Sequence, residues 1–326
     1  MKNFWRVVCA VPVAVAVAPW CAAQTAGPAY PTKPIRMVIP FAAGGGVDLV
    51  GRIAGARLSE ELGRQVIVDN RVGAGSTVGT DIVAKAPADG YTLLVTNNSL
   101  VYNPSLYPKL PYDTLRDLAA ISLIGTTSNV LLVHPSVAAK SVRELLDLMK
   151  ARPGQLNFGS GGVGGSVHLA FELFQSMAGV KATHIPYKGV GPALLDAVGG
   201  RVQVMIAGLP PALGHIKANR LRALAVSTVK RAPSLPDLPT IAEGGVAGYE
   251  YTTWYGMLAP AATPKGVVAK LNKTAVKALG SADLRNKFAQ QGVEAESSTP
   301  EQYAATVKQE IARWEKIIKA AGIQGE

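Results

Sequence analysis

The chain has 326 residues, 33 Lys and Arg against 22 Asp and Glu for a formal charge of +11, and only two cysteines. That length suggests two domains. Both cysteines, Cys9 and Cys21, fall in the first 23 residues, so the rest offers no disulfide, thiol nucleophile or thiolate metal ligand. Basic residues are scattered rather than clustered, which argues against nucleic acid and leaves attraction to anionic solutes and surfaces.

In chain order, residues 1–23 come first. Lys2 and Arg6 precede the apolar run 7–18, and Cys21-Ala22-Ala23 supplies small residues for cleavage, so the segment reads as a secretory signal peptide cut after Ala23. A membrane anchor would need about 20 apolar residues, and Pro12 and Pro19 interrupt this run. Ala18-Pro19-Trp20 before Cys21 lacks the leucine-led pattern of a bacterial lipoprotein. No later apolar run is long enough to span a bilayer, so the expected product is soluble and, in a Gram-negative cell, periplasmic.

Strand-length apolar runs then alternate with segments of helical period, which predicts an α/β fold. Strands are expected at 35–40, 66–69, 92–96, 129–133, 156–159, 182–186, 202–206 and 221–227, with a last strand-like stretch at 249–258. Helices are expected at 48–62, 77–86, 142–151, 167–178 and 192–198. Ser141 and Glu144 form a capping box for the third of these. The Pro-rich segment 231–245 reads as a surface loop. Near the end, Thr299-Pro300-Glu301-Gln302 combines a cap, a proline at the first helical position and a glutamine at the third. The helix it opens carries Tyr303, Val307, Ile311, Trp314 and Ile318 on one side, a stripe that reads as core.

Two strand, glycine-loop, helix units stand out: "PFAAGGGVDLVGR" at 40–52 and "LNFGSGGVGGSVHLAFELF" at 156–174, with "VDNRVGAGSTVGTDIVAKA" between them. The first N–H groups of a helix have no internal partner, and glycine lets a ligand approach them, so each unit is a candidate anion site. No glycine loop continues into Lys and then Ser or Thr, which excludes the P-loop. Gly159, Gly161 and Gly164 spell a dinucleotide fingerprint, but Gly179, Val180 and Lys181 stand where the ribose-binding acid belongs. Ser76, Ser160 and Ser166 each lack a flanking glycine of the nucleophile elbow. His134, His168, His184 and His215 lie on four separate elements without a metal-binding spacing. These readings leave an anion receptor with no catalytic residue, no metal and no cofactor.

The segments "YPTKPIRMVIPFAAGGGVDLVGR", "VDNRVGAGSTVGTDIVAKAPADGYTLL", "LPYDTLRD", "HIPYKGVGPALLDAVGGRV", "RAPSLPDLPTIAEGG" and "WYGMLAP" together closely resemble the Bug family, the periplasmic solute receptors of tripartite tricarboxylate transporters. The resemblance runs through essentially all of the chain beyond the leader. It implies a type II periplasmic binding protein fold, two α/β domains with a ligand cleft between them, at 30–127 plus 252–326 and at 128–251. It further implies a small carboxylate ligand held by backbone amides and water, and delivery to membrane permease subunits. A sensor's periplasmic partner, docking on a signalling protein instead, would share the fold and the ligand, and an enzyme using the cleft is the more distant alternative.

Carried onto this sequence, the resemblance places Phe41, Ala42, Gly44 and Gly45 in the first anion loop, with Asp48 capping its helix and Ser76 and Thr77 closing the pocket from the neighbouring loop. Asp48 also suits the helix dipole without any ligand, and that structural role is the stronger reading. Asn98 follows a strand end and serves either a turn or a ligand. Across the cleft stand Ser160, Gly161, Gly162 and Ser166, with His168 and Tyr187 shaping the wall; His168 equally suits a local hydrogen bond. Trp254, at the crossover, packs on ligand or on core. Where many relatives end a strand in Asp, this chain has Ala207. No acid is then available there for an ammonium, so the expected ligand lacks an amino group: a dicarboxylate, a hydroxy acid or an aromatic carboxylate.

Overall fold

The computed structural model describes Met1 and residues 30–323. The signal-peptide reading of residues 1–23 lies outside the described residues. The described residues from Pro31 onward form one compact unit, and among the described residues no helix is long and apolar enough to cross a membrane.

The chain runs β1 (Ile35–Ile39), α1 (Gly46–Leu62), β2 (Val66–Asn70), α2 (Thr77–Ala84), β3 (Thr92–Asn97), α3 (Ser99–Leu106), β4 (Leu118–Val133), α4 (Val142–Ala151), β5 (Asn157–Ser160) and α5 (Ser166–Ala178). It continues through β6 (Thr183–Pro186), α6 (Val190–Val198), β7 (Val204–Gly208), α7 (Leu209–Lys217), β8 (Arg222–Val226), β9 (Thr252–Pro260), α8 (Lys265–Gly280), α9 (Ala282–Gln290), β10 (Val293–Ala295) and α10 (Pro300–Ala321). The strands join in the order β2-β1-β3-β9-β4-β7-β5-β6, with β8 and β10 also on β4. β1 lies parallel to β2 and β3, and β5 parallel to β6 and β7. Parallel neighbours require crossover helices, and the segments between these strands supply them.

β4 organises the whole. Its first part, through Ser128, pairs with β9, and from Asn129 onward it pairs with β7 and β8. Sequence reading saw only its second part, because residues 118–128 hold Ser, Thr and Gly among the apolar positions. It begins at Leu118, eleven residues before the predicted start, and bulges at Ala120/Ser122 and Leu123/Gly125 absorb the break in alternation. The last strand starts at Thr252 rather than Tyr249. Helices α3, α7, α8 and α9 were not anticipated; α3 holds Pro104 inside it and α7 opens on prolines, both of which weaken a helical signal.

The caps behave as local chemistry demands, with one difference. At α10 the Thr299 and Gln302 capping box closes in both directions. At α4 the Ser141 hydroxyl accepts from the Glu144 N–H, but the Glu144 carboxylate takes the Lys140 N–H at 2.7 Å instead of the Ser141 N–H. The expected stripe on α10 is core: Tyr303, Val307, Trp314 and Ile318 are buried, with Ile311 packed against them.

Candidate functional site

Among the described residues, four helices have a glycine at the N-cap and no side chain bonded to the cap: α1 after Gly45, α5 after Gly165, α6 after Gly189 and α7 after Gly208. By contrast α4, α9 and α10 are capped by the side chains of Ser141, Ser281 and Thr299. All four glycines line one cavity, which encloses about 620 Å³ including its mouth. Its wall is completed by Phe41, Ala42, Gly46, Val47, Asn97, Asn129, Gly161, Ser166, Val167, Val190, Pro211, Thr253 and Tyr255. None of these residues carries a formal charge. An anion placed here would meet N–H groups and the positive ends of helix dipoles rather than a salt bridge.

The first wall is built by Asp48. Its buried carboxylate accepts from the Gly44 N–H at 2.9 Å, from Arg52 Nε at 3.0 Å and from Asn70 Nδ2 at 2.9 Å. The same Asn70 amide donates to the Phe41 carbonyl at 2.9 Å. Gly44 sits at φ +79°, a conformation that costs glycine little. Burial alone would push the Asp48 carboxyl up. The hydrogen bonds from Arg52, Gly44 and Asn70, with the Arg52 charge, outweigh that and hold it below the usual carboxylate range. Asp48 therefore shapes the loop from behind and does not itself line the cavity.

The facing wall, from Ser160 to Ser166, is tied in the same manner. Ser160 Oγ lies 3.1 Å from both the Gly162 N–H and the Gly162 carbonyl, and 2.6 Å from His184 Nε2. The Gly164 N–H donates to His168 Nδ1 at 3.1 Å, and the Gly189 N–H to the Gly161 carbonyl at 3.2 Å. Behind the loop the rings of Phe171, Phe158, His184 and His168 form a stack, the two imidazoles 4.1 Å apart. Ser160 is fully buried and does not line the cavity, so its pairing with His184 braces the wall.

Burial, and next the neighbouring His168, bring the His184 pKa down to about 4 against an opposing pull from Glu172. An unfolded histidine titrates near 6.5, so between these values the unfolded chain binds the extra proton. The stability contributed by the neutral ring is complete above about pH 6.5 and falls as pH drops toward 4. With allowance for partial exposure of the ring, the loss is on the order of 2 kcal/mol. His184→Gln keeps an uncharged partner for Ser160 and should flatten this slope in urea unfolding between pH 4.5 and 8; equal slopes in both proteins would refute the assignment.

Of the residues named from the sequence, Phe41, Ala42, Gly45, Gly161 and Ser166 lie in the cavity wall. Gly44, Asp48, Ser160, Gly162 and His168 lie directly behind it, in the bracing just described. Ser76 and Thr77 stand off at the start of α2, where Ser76 Oγ is 3.1 Å from the Asn103 amide. Tyr187 gives its hydroxyl to Asp196 at 2.8 Å. Asn98 ties α3 to β9, donating to the Thr252 carbonyl and accepting from the Trp254 N–H. Ala207 is fully buried within β7, and its neighbour Gly208 lines the cavity.

Strand parity bears on two positions that the sequence left open. Side chains alternate along a strand, so Trp254 points into the core against Tyr303, at 5.6 Å between ring centroids, while Thr253 and Tyr255 face the cavity. β3 likewise runs one residue beyond the predicted end, and Asn97 rather than Asn98 reaches the wall. There it donates to Ser166 Oγ at 3.2 Å. Asn129 and Thr253 hydrogen-bond each other at 3.0 Å. Asn129, at the point where β4 changes partners, gave no signal in the sequence beyond its place in a predicted strand.

A mixed sheet with glycine-led helix starts gathered at one cavity is an architecture that can hold a small anionic solute. Residues 50–323 match the family described as the tripartite tricarboxylate transporter family receptor. The chain belongs to that family. A solved structure titled R. palustris Rpa4515 with adipate is 40% identical and superposes with a TM-score of 0.88, covering 90% of this chain and 99% of that one. The periplasmic binding protein BugD is 35% identical with a TM-score of 0.87, covering 90% and 99%. MatC from Rhodopseudomonas palustris, with bound malate, is 30% identical with a TM-score of 0.84, covering 89% and 100%. The fold is accordingly that of the type II periplasmic solute-binding proteins, as the resemblance implied.

Proposed function

We propose that this protein is a periplasmic receptor that captures a small carboxylate in the cavity and delivers it to the membrane subunits of a tripartite transporter. The observation that carries this reading is the meeting of glycine-led helix starts without side-chain caps at one cavity without a charged wall: α1, α5 and α6 bring several N–H groups, and α7, whose Pro210 and Pro211 have none, brings that of Leu209. Adipate in one neighbour and malate in another support it. The partner permease is inferred from family membership, and export from residues 1–23, read as a cleaved leader.

The halves 30–127 plus 252–326 and 128–251 would act as lobes that close on the solute. The change of pairing along β4 between Ser128 and Asn129 supports that division. So does the closeness of the two walls: a Cβ on Gly189 would stand 2.9 Å from that of Ala42. The wall contains no acid for a ligand ammonium, so amino acids should bind more weakly than acids lacking one.

Thermal unfolding and calorimetry with mono-, di- and tricarboxylates, hydroxy acids, aromatic acids and amino acids test the proposal. A ligand at 100 times its Kd adds about 2.7 kcal/mol to stability, so one carboxylate class should raise the midpoint clearly. An amino acid held best would overturn the exclusion of an ammonium. No shift with any acid, even after unfolding and refolding to strip bound solute, would overturn the carboxylate reading.

A further inference from the structure

Tyr255 lies in β9, beside Asn97 of β3 in the central pairing of the sheet. It is 2% exposed, and yet it belongs to the cavity wall. Its hydroxyl stands 2.8 Å from the place where a Cβ on Gly46 would be. Gly46 is the first residue of α1, whose start has no side-chain cap. Glycine at this position is thus what makes room for the phenol beside the free N–H groups.

The other polar side chains of the wall are already engaged, Asn97 with Ser166 and Asn129 with Thr253. Elsewhere in the core the buried tyrosines Tyr102 and Tyr251 satisfy each other at 2.8 Å. The Tyr255 hydroxyl has no hydrogen-bond partner among the described residues. Other buried groups, Tyr303 Oη and Trp254 Nε1 among them, also lack a partner; Tyr255 differs in lining the cavity, where an oxygen of a solute can reach its hydroxyl. Burial holds this phenol well above its ordinary pKa, so at neutral pH it is a donor.

We propose that Tyr255 is a ligand-positioning residue, its hydroxyl donating to an oxygen of the solute anion seated at the start of α1. This rests on the carboxylate reading of the cavity. The phenol adds a directional donor to the helix N–H groups and fixes where the anion's oxygen lies. It does so without a formal charge.

The test is calorimetric titration of the wild-type protein and Tyr255→Phe with adipate, malate and the wider acid panel, together with the ligand-free Tm. Tyr255→Phe should raise the Kd of the bound acid about tenfold to a hundredfold, the effect of losing a hydrogen bond to a charged group, while the ligand-free Tm stays within about 2 °C. Gly46→Ala, whose methyl would displace the hydroxyl, should weaken the same ligand. If wild type binds an acid and Tyr255→Phe binds it within threefold, the proposal is wrong and the receptor reading stands. If Tyr255→Phe lowers the ligand-free Tm substantially, the hydroxyl serves the fold instead and the proposal fails. If wild type binds no acid, the receptor reading fails first and this one falls with it.

Discussion

Asp48→Ala should lower stability by about 3 kcal/mol and weaken carboxylate binding at least about tenfold, because one buried side chain holds the whole first wall. The carboxylate is 4% exposed and takes both Nε and Nη2 of Arg52, the Asn70 amide and the Gly44 N–H. Arg52 is half exposed and water can solvate it once the acid is gone. The Gly44 N–H, at an exposed glycine, turns to water, the half-buried Asn70 amide keeps only the Phe41 carbonyl, and the loop from Phe41 to Gly46 loses its anchor. The N–H groups at the start of α1 then have to be ordered by the ligand itself, which costs affinity. Urea unfolding and calorimetry read the two effects separately. A variant with wild-type midpoint and wild-type Kd would show that Asp48 is dispensable for the loop; unchanged binding with lower stability would confine its role to the fold.

The second large effect is expected on the face of β9 turned away from the cavity. In Gly256→Ala the new Cβ would lie 1.9 Å from Tyr303 Oη and 2.2 Å from Cζ. Neither partner has room to retreat. Gly256 sits in β9 between Thr96 of β3 and Leu123 of β4, and Tyr303 is fully buried on α10, edge-on to Trp254. Overpacking of this severity should cost at least about 3 kcal/mol, or a Tm lower by about 6 to 12 °C in a protein of this size. Tyr303→Leu in the Gly256→Ala background should recover part of the loss, giving a negative coupling in a double-mutant cycle. Wild-type thermal unfolding of Gly256→Ala would mean that β9 and α10 slide apart more easily than their packing implies.

Much of the site was legible in the sequence at the level of loops and little at the level of side chains. A glycine run between an apolar strand and a helical period announces a helix start open to an anion, and both predicted loops lie in the cavity wall through Gly45, Gly161 and Ser166. The helix after Gly189 starts two residues before its expected start at Pro192, and the one after Gly208 was not expected. Trp254 drew attention by its place at the crossover, and strand parity turned it toward Tyr303 and gave Tyr255 to the cavity. Asn97 and Asn129 carry no motif of their own, and only pairing with β9 and β7 brings them to the wall.

The sequence by itself determined the alternation of strands and helices, the caps at Ser141 and Thr299, the buried stripe on α10 and the family. Each of these depends on residues a few positions apart, or on many such patterns in one order. The tertiary structure alone decided which helix starts share a cavity and which face of β9 they meet. Those outcomes rest on contacts between distant segments, such as Asn97 beside Tyr255 and Asn129 beside Gly208. Their energy is realised only when the sheet closes around β4, and no local pattern encodes it.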